Sequence, residues 1–213
     1  MDKKDALRVL FQCAELYQQN LEGQNVLLIC ASNSLNRVDS VELQFERTSF
    51  MHLTGVKFRD GERMPPDTFY TLCTQKRLSV DDFCLAEDGT TEMKLAVLPS
   101  LFGSKYLSAN MIGDFTNRHP ALFTEKLAGN ERACVGFTFD KGLGCYAPNT
   151  VLKLDMRDEI SNRQRIIAAY RKRKDDVQYS ELVYKAKKVE WTKVKYPEAF
   201  AYIQVPTGCL VPT

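Results

Sequence analysis

The sequence predicts an α+β protein with an N-terminal helix, a block of short helices and a mainly antiparallel β-sheet. Three observations carry this. Apolar side chains recur at helical spacing through the first twenty residues, whereas from Asn110 onward they alternate with period two. Between these parts, prolines, glycines and capping residues divide the chain into short pieces. At 213 residues, with 44% hydrophobic and 26% charged side chains, the chain can bury one core of ordinary size and is too apolar to stay disordered. The expected organisation is one domain over residues 1–188, with an irregular tail, 189–213, packed on it.

Residues 2–19 place Leu7, Leu10, Phe11, Ala14, Leu16 and Tyr17 at helical spacing, and Gly23 stands where a helix stops. Residues 24–31 (QNVLLICA) form an apolar run between Gly23 and a polar loop, which predicts a buried strand. Residues 41–45 alternate cleanly and predict a second strand. In the next stretch Phe50, His52 and Thr54 alternate with Met51 and Leu53. Read as a strand, this puts the imidazole and the hydroxyl on one face, with Gly55 turning the chain. Residues 67–76 predict a helix. Ser79 followed by Asp81 and Asp82 predicts the start of another, and Thr90 or Thr91 starts a third that Pro99 bends or ends.

Further strands are expected at 111–115, 122–127, 133–139 and 146–154, the last two joined as a hairpin through 140–144. Residues 165–170 and 179–184 flank the turn 174–176 and predict another hairpin, although RIIAAYRKRK also suits a helix.

Composition narrows the function. No apolar run is long enough to cross a bilayer and no signal-peptide core follows Met1, so a soluble cytoplasmic protein is expected. Seven scattered cysteines without a C-x-x-C pair, and only two histidines, argue for reduced thiols and against a metal site or cofactor. Phosphate-loop, dinucleotide, zinc-protease and nucleophile-elbow motifs are absent. Between Arg163 and Lys188 lie nine basic residues against three acidic ones, in a chain of net charge +2. Such a segment suits a polyanion, with Arg171 and Arg173 as contacts; it also reads as a solvated hairpin face.

A lone strand histidine is either a half-buried, hydrogen-bonded side chain or an acid or base, because imidazole is the side chain most readily poised for proton transfer near neutrality. With basic residues and hydroxyls around it, metal-free RNA cleavage becomes feasible. In that chemistry His52 is the acid or base, Arg47, Lys94 or Arg132 supplies a cation, and Tyr146 or Thr150 binds a phosphate oxygen. The plainer readings are a solvated Lys94, an Arg132 paired with Glu131, and a surface His119.

Phe50-x-His52-Leu53-Thr54-Gly55, Phe69-Tyr70, Lys94-Leu95, Ile112-Gly113-Asp114-Phe115 and Tyr146-Ala147-Pro148-Asn149-Thr150 occur in this order. Over residues 5–188 this series resembles the phage-type barnase–EndoU–colicin–RelE-like nuclease domains, in particular the fourth such phage family. Those domains occur in polyvalent proteins of phages and other mobile elements and in short proteins of Firmicutes. The resemblance implies a barnase/EndoU/RelE-like fold and metal-independent cleavage of RNA, tRNA included. It also implies a site built from His52, Thr54, Tyr146, Asn149 and Thr150. A free nuclease of this kind would be toxic, which suggests an inhibitor protein as partner. Two other readings stay open. The histidine with a threonine two residues on also resembles the NAD-gripping strand of ADP-ribosyltransferases, with Tyr146 stacking on nicotinamide and Glu181 as the catalytic glutamate. The third is a non-catalytic nucleic-acid-binding protein.

Overall fold

The structure, a computed structural model, describes all residues except 33–37, 60–62, 117–122 and 207–213. Helix α1 (Lys3–Asn20) starts where the Asp2 carboxylate accepts the Asp5 amide at 2.7 Å. It buries Ala6, Leu10, Cys13, Ala14 and Tyr17 along one stripe. Strands β1 (Gln24–Ala31) and β2 (Val38–Phe45) follow as an antiparallel pair, in register from Gln24↔Phe45 to Ala31↔Val38. Four short helices come next: α2 (Ser49–Thr54), α3 (Pro66–Thr74), α4 (Thr90–Leu95) and α5 (Leu98–Phe102). The chain then forms β3 (Met111–Phe115), β4 (Lys126–Gly129), β5 (Cys134–Asp140), β6 (Cys145–Leu152), β7 (Ile160–Arg173) and β8 (Glu181–Lys185).

The strand order is β1-β2-β6-β5-β4-β3-β7-β8, and β7 also pairs with β1. The first seven strands in that order therefore close into a barrel. Residues 165–173 of β7 carry β1 along one edge; the other edge holds β3 and then β8. Every pairing is antiparallel except β2–β6, a parallel contact with one register pair, Leu43↔Tyr146.

One face of the sheet packs on the helices. Val26, Leu28 and Cys30 of β1, Val41, Leu43 and Phe45 of β2, and Val135 and Phe137 of β5 join Leu10, Phe50, Phe69 and Phe102 in one core. Tyr17 lies at its centre, 5.1–6.3 Å from the rings of Phe45, Phe50, Tyr70 and Phe102, and its hydroxyl donates to the Glu46 carbonyl at 2.8 Å. The opposite face of β1 and β7, with Leu27, Ile29, Ile167 and Ala168, packs against Val194, Phe200 and Ile203 of the tail. The described part of the tail contributes two single 3₁₀ turns, Trp191–Lys193 and Glu198–Phe200.

Three expected elements differ. The His52 stretch is helix α2, not a strand. Its buried residues Phe50, Leu53 and Thr54 follow helical spacing, and Gly55 ends it in the left-handed region at φ 71°. In so short an apolar run, periods of 2 and 3.6 cannot be separated from sequence. The helix expected from Ser79 is a turn: the Asp82 carboxylate accepts the Ser79 amide at 2.6 Å, and Cys84 then bridges to Lys57. Pro99 lies in the first turn of α5, where its missing N–H costs nothing, so it starts a helix instead of bending one. His119, Cys209 and residue 122 fall outside the described residues; of the expected strand 122–127, residues 123–125 are not strand and β4 runs Lys126–Gly129.

Phe50 is fully buried within the aromatic cluster. Phe50→Ala is expected to destabilise the protein by about 3–5 kcal/mol, measured by urea denaturation.

Candidate active site

His52 is exposed in the last turn of α2. Its carbonyl accepts the ammonium of Lys94 at 3.3 Å, and Lys94, from α4, is only 8% exposed. The lysine stem crosses Gly55 so closely that a Cβ there would meet Lys94 Cδ at 2.8 Å. Glycine at 55 thus answers both the positive φ and the packing. Thr91, on the same helix, fastens the arrangement by donating to the Gly55 carbonyl at 2.7 Å and accepting the Ala86 amide at 2.9 Å. Burial lowers the pKa of Lys94, and the nearby Lys57 adds to the effect.

Two grooves flank His52. One, of about 180 Å³, is lined by Lys57, Asp88, Thr90 and Lys94. The other, of about 310 Å³, is lined by Thr48, Ser49, Pro148 and Asn149. The structure thus gathers His52, Lys94 and Asn149 from three separate stretches. Thr54, expected beside the imidazole, points inward: it is fully buried, donates to the Met51 carbonyl at 2.7 Å and accepts the Val56 amide. On a helix, residues two apart do not share a face.

A larger cleft, of about 990 Å³, opens at one mouth of the barrel between β2, β3, β4, β6 and β7, with Lys195–Pro197 of the tail along its side. Tyr146 lies here and not with His52. Lys126 donates to Asp114 at 2.6 Å and sits 5.7 Å from the centre of the Tyr146 ring. Asn162 donates to the other Asp114 oxygen at 2.7 Å, and Gln164 donates to Asp39. The Lys126 hydrogen bond, helped by Asn162, holds the Asp114 carboxyl below its ordinary pKa against the effect of burial. Burial raises the Tyr146 phenol, which Lys126 opposes.

Several of the other candidates are engaged with the scaffold. Arg47 pairs with Glu22 at 3.4 Å and Asp67 at 3.2 Å, donates to Thr71 and lies 5.5 Å from the Tyr70 ring centre. Arg171 is mostly buried, paired with Glu181 at 2.7 Å and bonded to the Asn20 carbonyl. Arg173 is exposed at the end of β7. Arg132 is exposed in the β4–β5 turn, at the far end of the β5–β6 hairpin from Tyr146, and Glu131 binds Arg157 at 3.2 Å. Thr150 is buried, its methyl group over Gly136. Asn149 donates to the Phe123 carbonyl at 2.7 Å and accepts from Thr124 at 3.2 Å, tying down the segment before β4.

Much of the basic segment is likewise engaged: Lys174 reaches Glu46, Lys172 lies over Tyr179, and Arg165 donates to the Lys187 carbonyl. Burial raises the Glu181 carboxyl, but hydrogen bonds from Lys105 and Arg171 outweigh it and hold the group below its ordinary value. With His52 on a helix and Glu181 in this double ion pair, the arrangement expected of an ADP-ribosyltransferase is not formed. Among the described residues no group of three or more His, Cys, Asp or Glu could hold a metal, and no helix is long and apolar enough to cross a membrane.

Sequence reasoning missed Asp39, Lys126, Asn162 and Gln164. Asp39, Lys126 and Gln164 each precede by two an apolar residue of the main core, Val41, Ala128 and Ile166. A polar residue in phase with the core face was the available signal.

A family model described as phage-Barnase-EndoU-ColicinE5/D-RelE like nuclease4 matches residues 9–188. No curated protein and no solved structure gives a significant match.

Lys94 supplies a pH test. Its folded pKa lies below the ordinary 10.5, so between the two values the unfolded chain binds more protons and stability rises with pH. Relative to Lys94→Met, the wild type is expected to gain stability as the pH rises through the window below 10.5, as read by denaturant unfolding at successive pH values.

Proposed function

The chain belongs to the phage-Barnase-EndoU-ColicinE5/D-RelE like nuclease family, whose substrate is nucleic acid, and from that premise we propose that it cleaves RNA without a metal ion, with His52 as acid or base. The observation that carries this is the exposed imidazole of His52 between a groove lined by Lys57 and Lys94 and a groove lined by Asn149. In the reaction the ribose 2′-oxygen loses its proton and attacks phosphorus. The bond from phosphorus to the 5′-oxygen breaks, and that oxygen is protonated, leaving a 2′,3′-cyclic phosphate and a 5′-hydroxyl.

One of the two proton transfers passes through His52 and the other through solvent. Lys94, fixed against the His52 carbonyl, and Lys57 stabilise the negative charge that builds on the phosphoryl oxygens. Thr54 acts as a positioning residue, because its bonds to Met51 and Val56 hold the end of α2 that presents the imidazole. A setting in phages or mobile elements, restraint by an inhibitor protein and action in the cytoplasm belong to the same reading.

The test is cleavage of total RNA and of tRNA by purified wild type and His52→Ala with EDTA present. The expected result is cyclic-phosphate ends from the wild type and a loss of about 10²-fold or more in the variant. Absence of cleavage by the wild type would remove the nuclease reading and leave a non-catalytic binder. Undiminished cleavage by His52→Ala would move the chemistry away from α2.

A further inference from the structure

We propose that the cleft at the barrel mouth is a nucleotide-binding site that holds a base, separate from the groove pair around His52. The first observation is what the cleft is made of. Asp39, Asp114, Lys126, Tyr146, Asn162 and Gln164 all line it, beside the core residues Val41 and Ile112. Asp39 and Asn162 are exposed and Asp114, Lys126, Tyr146 and Gln164 half-buried, so the polar lining is open to an entering molecule. Six polar side chains converging on an open cleft of about 990 Å³, the size of a small-molecule site, point to a ligand.

The second observation is a bulge that shapes the lining. Between Ile112 and Asp114 β3 advances two residues, while β7 advances three, from Gln164 to Ser161. The extra residue lies beside Asn162, which has a left-handed backbone at φ 48°. Bulges of this kind re-aim side chains, and asparagine tolerates the conformation better than most residues. Here the result is that Asn162 reaches Asp114 while Gln164 reaches Asp39.

The chemistry of the lining selects the ligand class. Lys126 and Asp114 already neutralise each other, so the interior offers no net charge from that pair. What remains is the Asp39 carboxylate, which accepts from Gln164, amide groups that can both donate and accept, the half-buried ring of Tyr146, and the exposed cations Arg163 and Lys195 at the rim. A nucleobase supplies mixed donors and acceptors and a π-face, and its phosphate suits the rim. Strand β6 connects the two places. Tyr146 lines the cleft and Asn149 lines the groove beside His52, three residues or about 10 Å along the strand. An RNA strand with its scissile phosphate at His52 would place a neighbouring nucleotide at the cleft. That the nucleotide belongs to RNA rests on the nuclease reading; that the cleft holds a base does not.

The test is calorimetric titration of the full chain with the 5′-monophosphates of adenosine, guanosine, cytidine and uridine, with ribose 5-phosphate as the baseless control. At least one nucleotide is expected to bind tenfold or more tightly than ribose 5-phosphate, and Gln164→Leu to weaken that binding tenfold or more. Tyr146→Leu, at a half-buried strand position, is the second variant in case Gln164→Leu fails to fold, and the same loss is expected. Equal binding of ribose 5-phosphate, no saturable nucleotide binding, or unchanged affinity in a folded variant would overturn the assignment. Nucleotide binding without RNA cleavage would sink the nuclease reading alone, and cleavage without nucleotide binding would sink the cleft alone.

Discussion

The structure depends on the pairing of β7 along both edges. Its 14 residues accept β1 on one side and β3 followed by β8 on the other, so the sheet has to curl until it closes. Closure removes the exposed edges that β1 and β3 would otherwise present. It also gives each strand an inside and an outside, which is why Ile166 and Ala169 meet the helices while Ile167, Ala168 and Tyr170 meet the tail. The bulge near Asn162 departs from this order at the mouth, where the lining changes from apolar to polar.

How much of this could be read in the chain varies with how local the cause is. Strand β1 was legible to its last residue, because Gly23 and a polar loop bound an unbroken apolar run. The alternation after Asn110 gave β3, β5, β6, β7, β8 and both hairpins, whereas β4 lies later in the chain than the expected strand 122–127. Helix α2 was misread because five residues cannot distinguish two periods, and only the packing of Phe50, Leu53 and Thr54 decides. At Ser79 the capping signals were present, but Asp82 turns its carboxylate back on the Ser79 amide and closes a turn.

The site follows the same division. His52, Lys94 and Asn149 come from stretches far apart in sequence and end beside neighbouring grooves, a convergence no periodicity reveals. Arg47 and Arg171 carried the right charge for a phosphate contact, yet their partners Glu22, Asp67 and Glu181 are fixed only by the fold. Gln164 and Lys126 stand in phase with the core residues Ile166 and Ala128, and ring closure turns the end of that face into the lining of a cleft. Tyr146 and Asn149, three residues apart on β6, thereby serve two different places.

The single register pair between β2 and β6, Leu43↔Tyr146, bears on motion. Elsewhere in the barrel, neighbouring strands share several register pairs, so breaking any one contact leaves others in place. At this seam a single register pair joins the strands, beside the Cys145 thiol donating to the Gln44 amide oxygen, and local opening is cheapest where the fewest bonds must break together. The residue in that contact is Tyr146, whose side chain lines the mouth. Fluctuations of the barrel will therefore concentrate along a line that runs past its largest opening, and amides beside the seam will exchange with solvent sooner than those of β1 and β7.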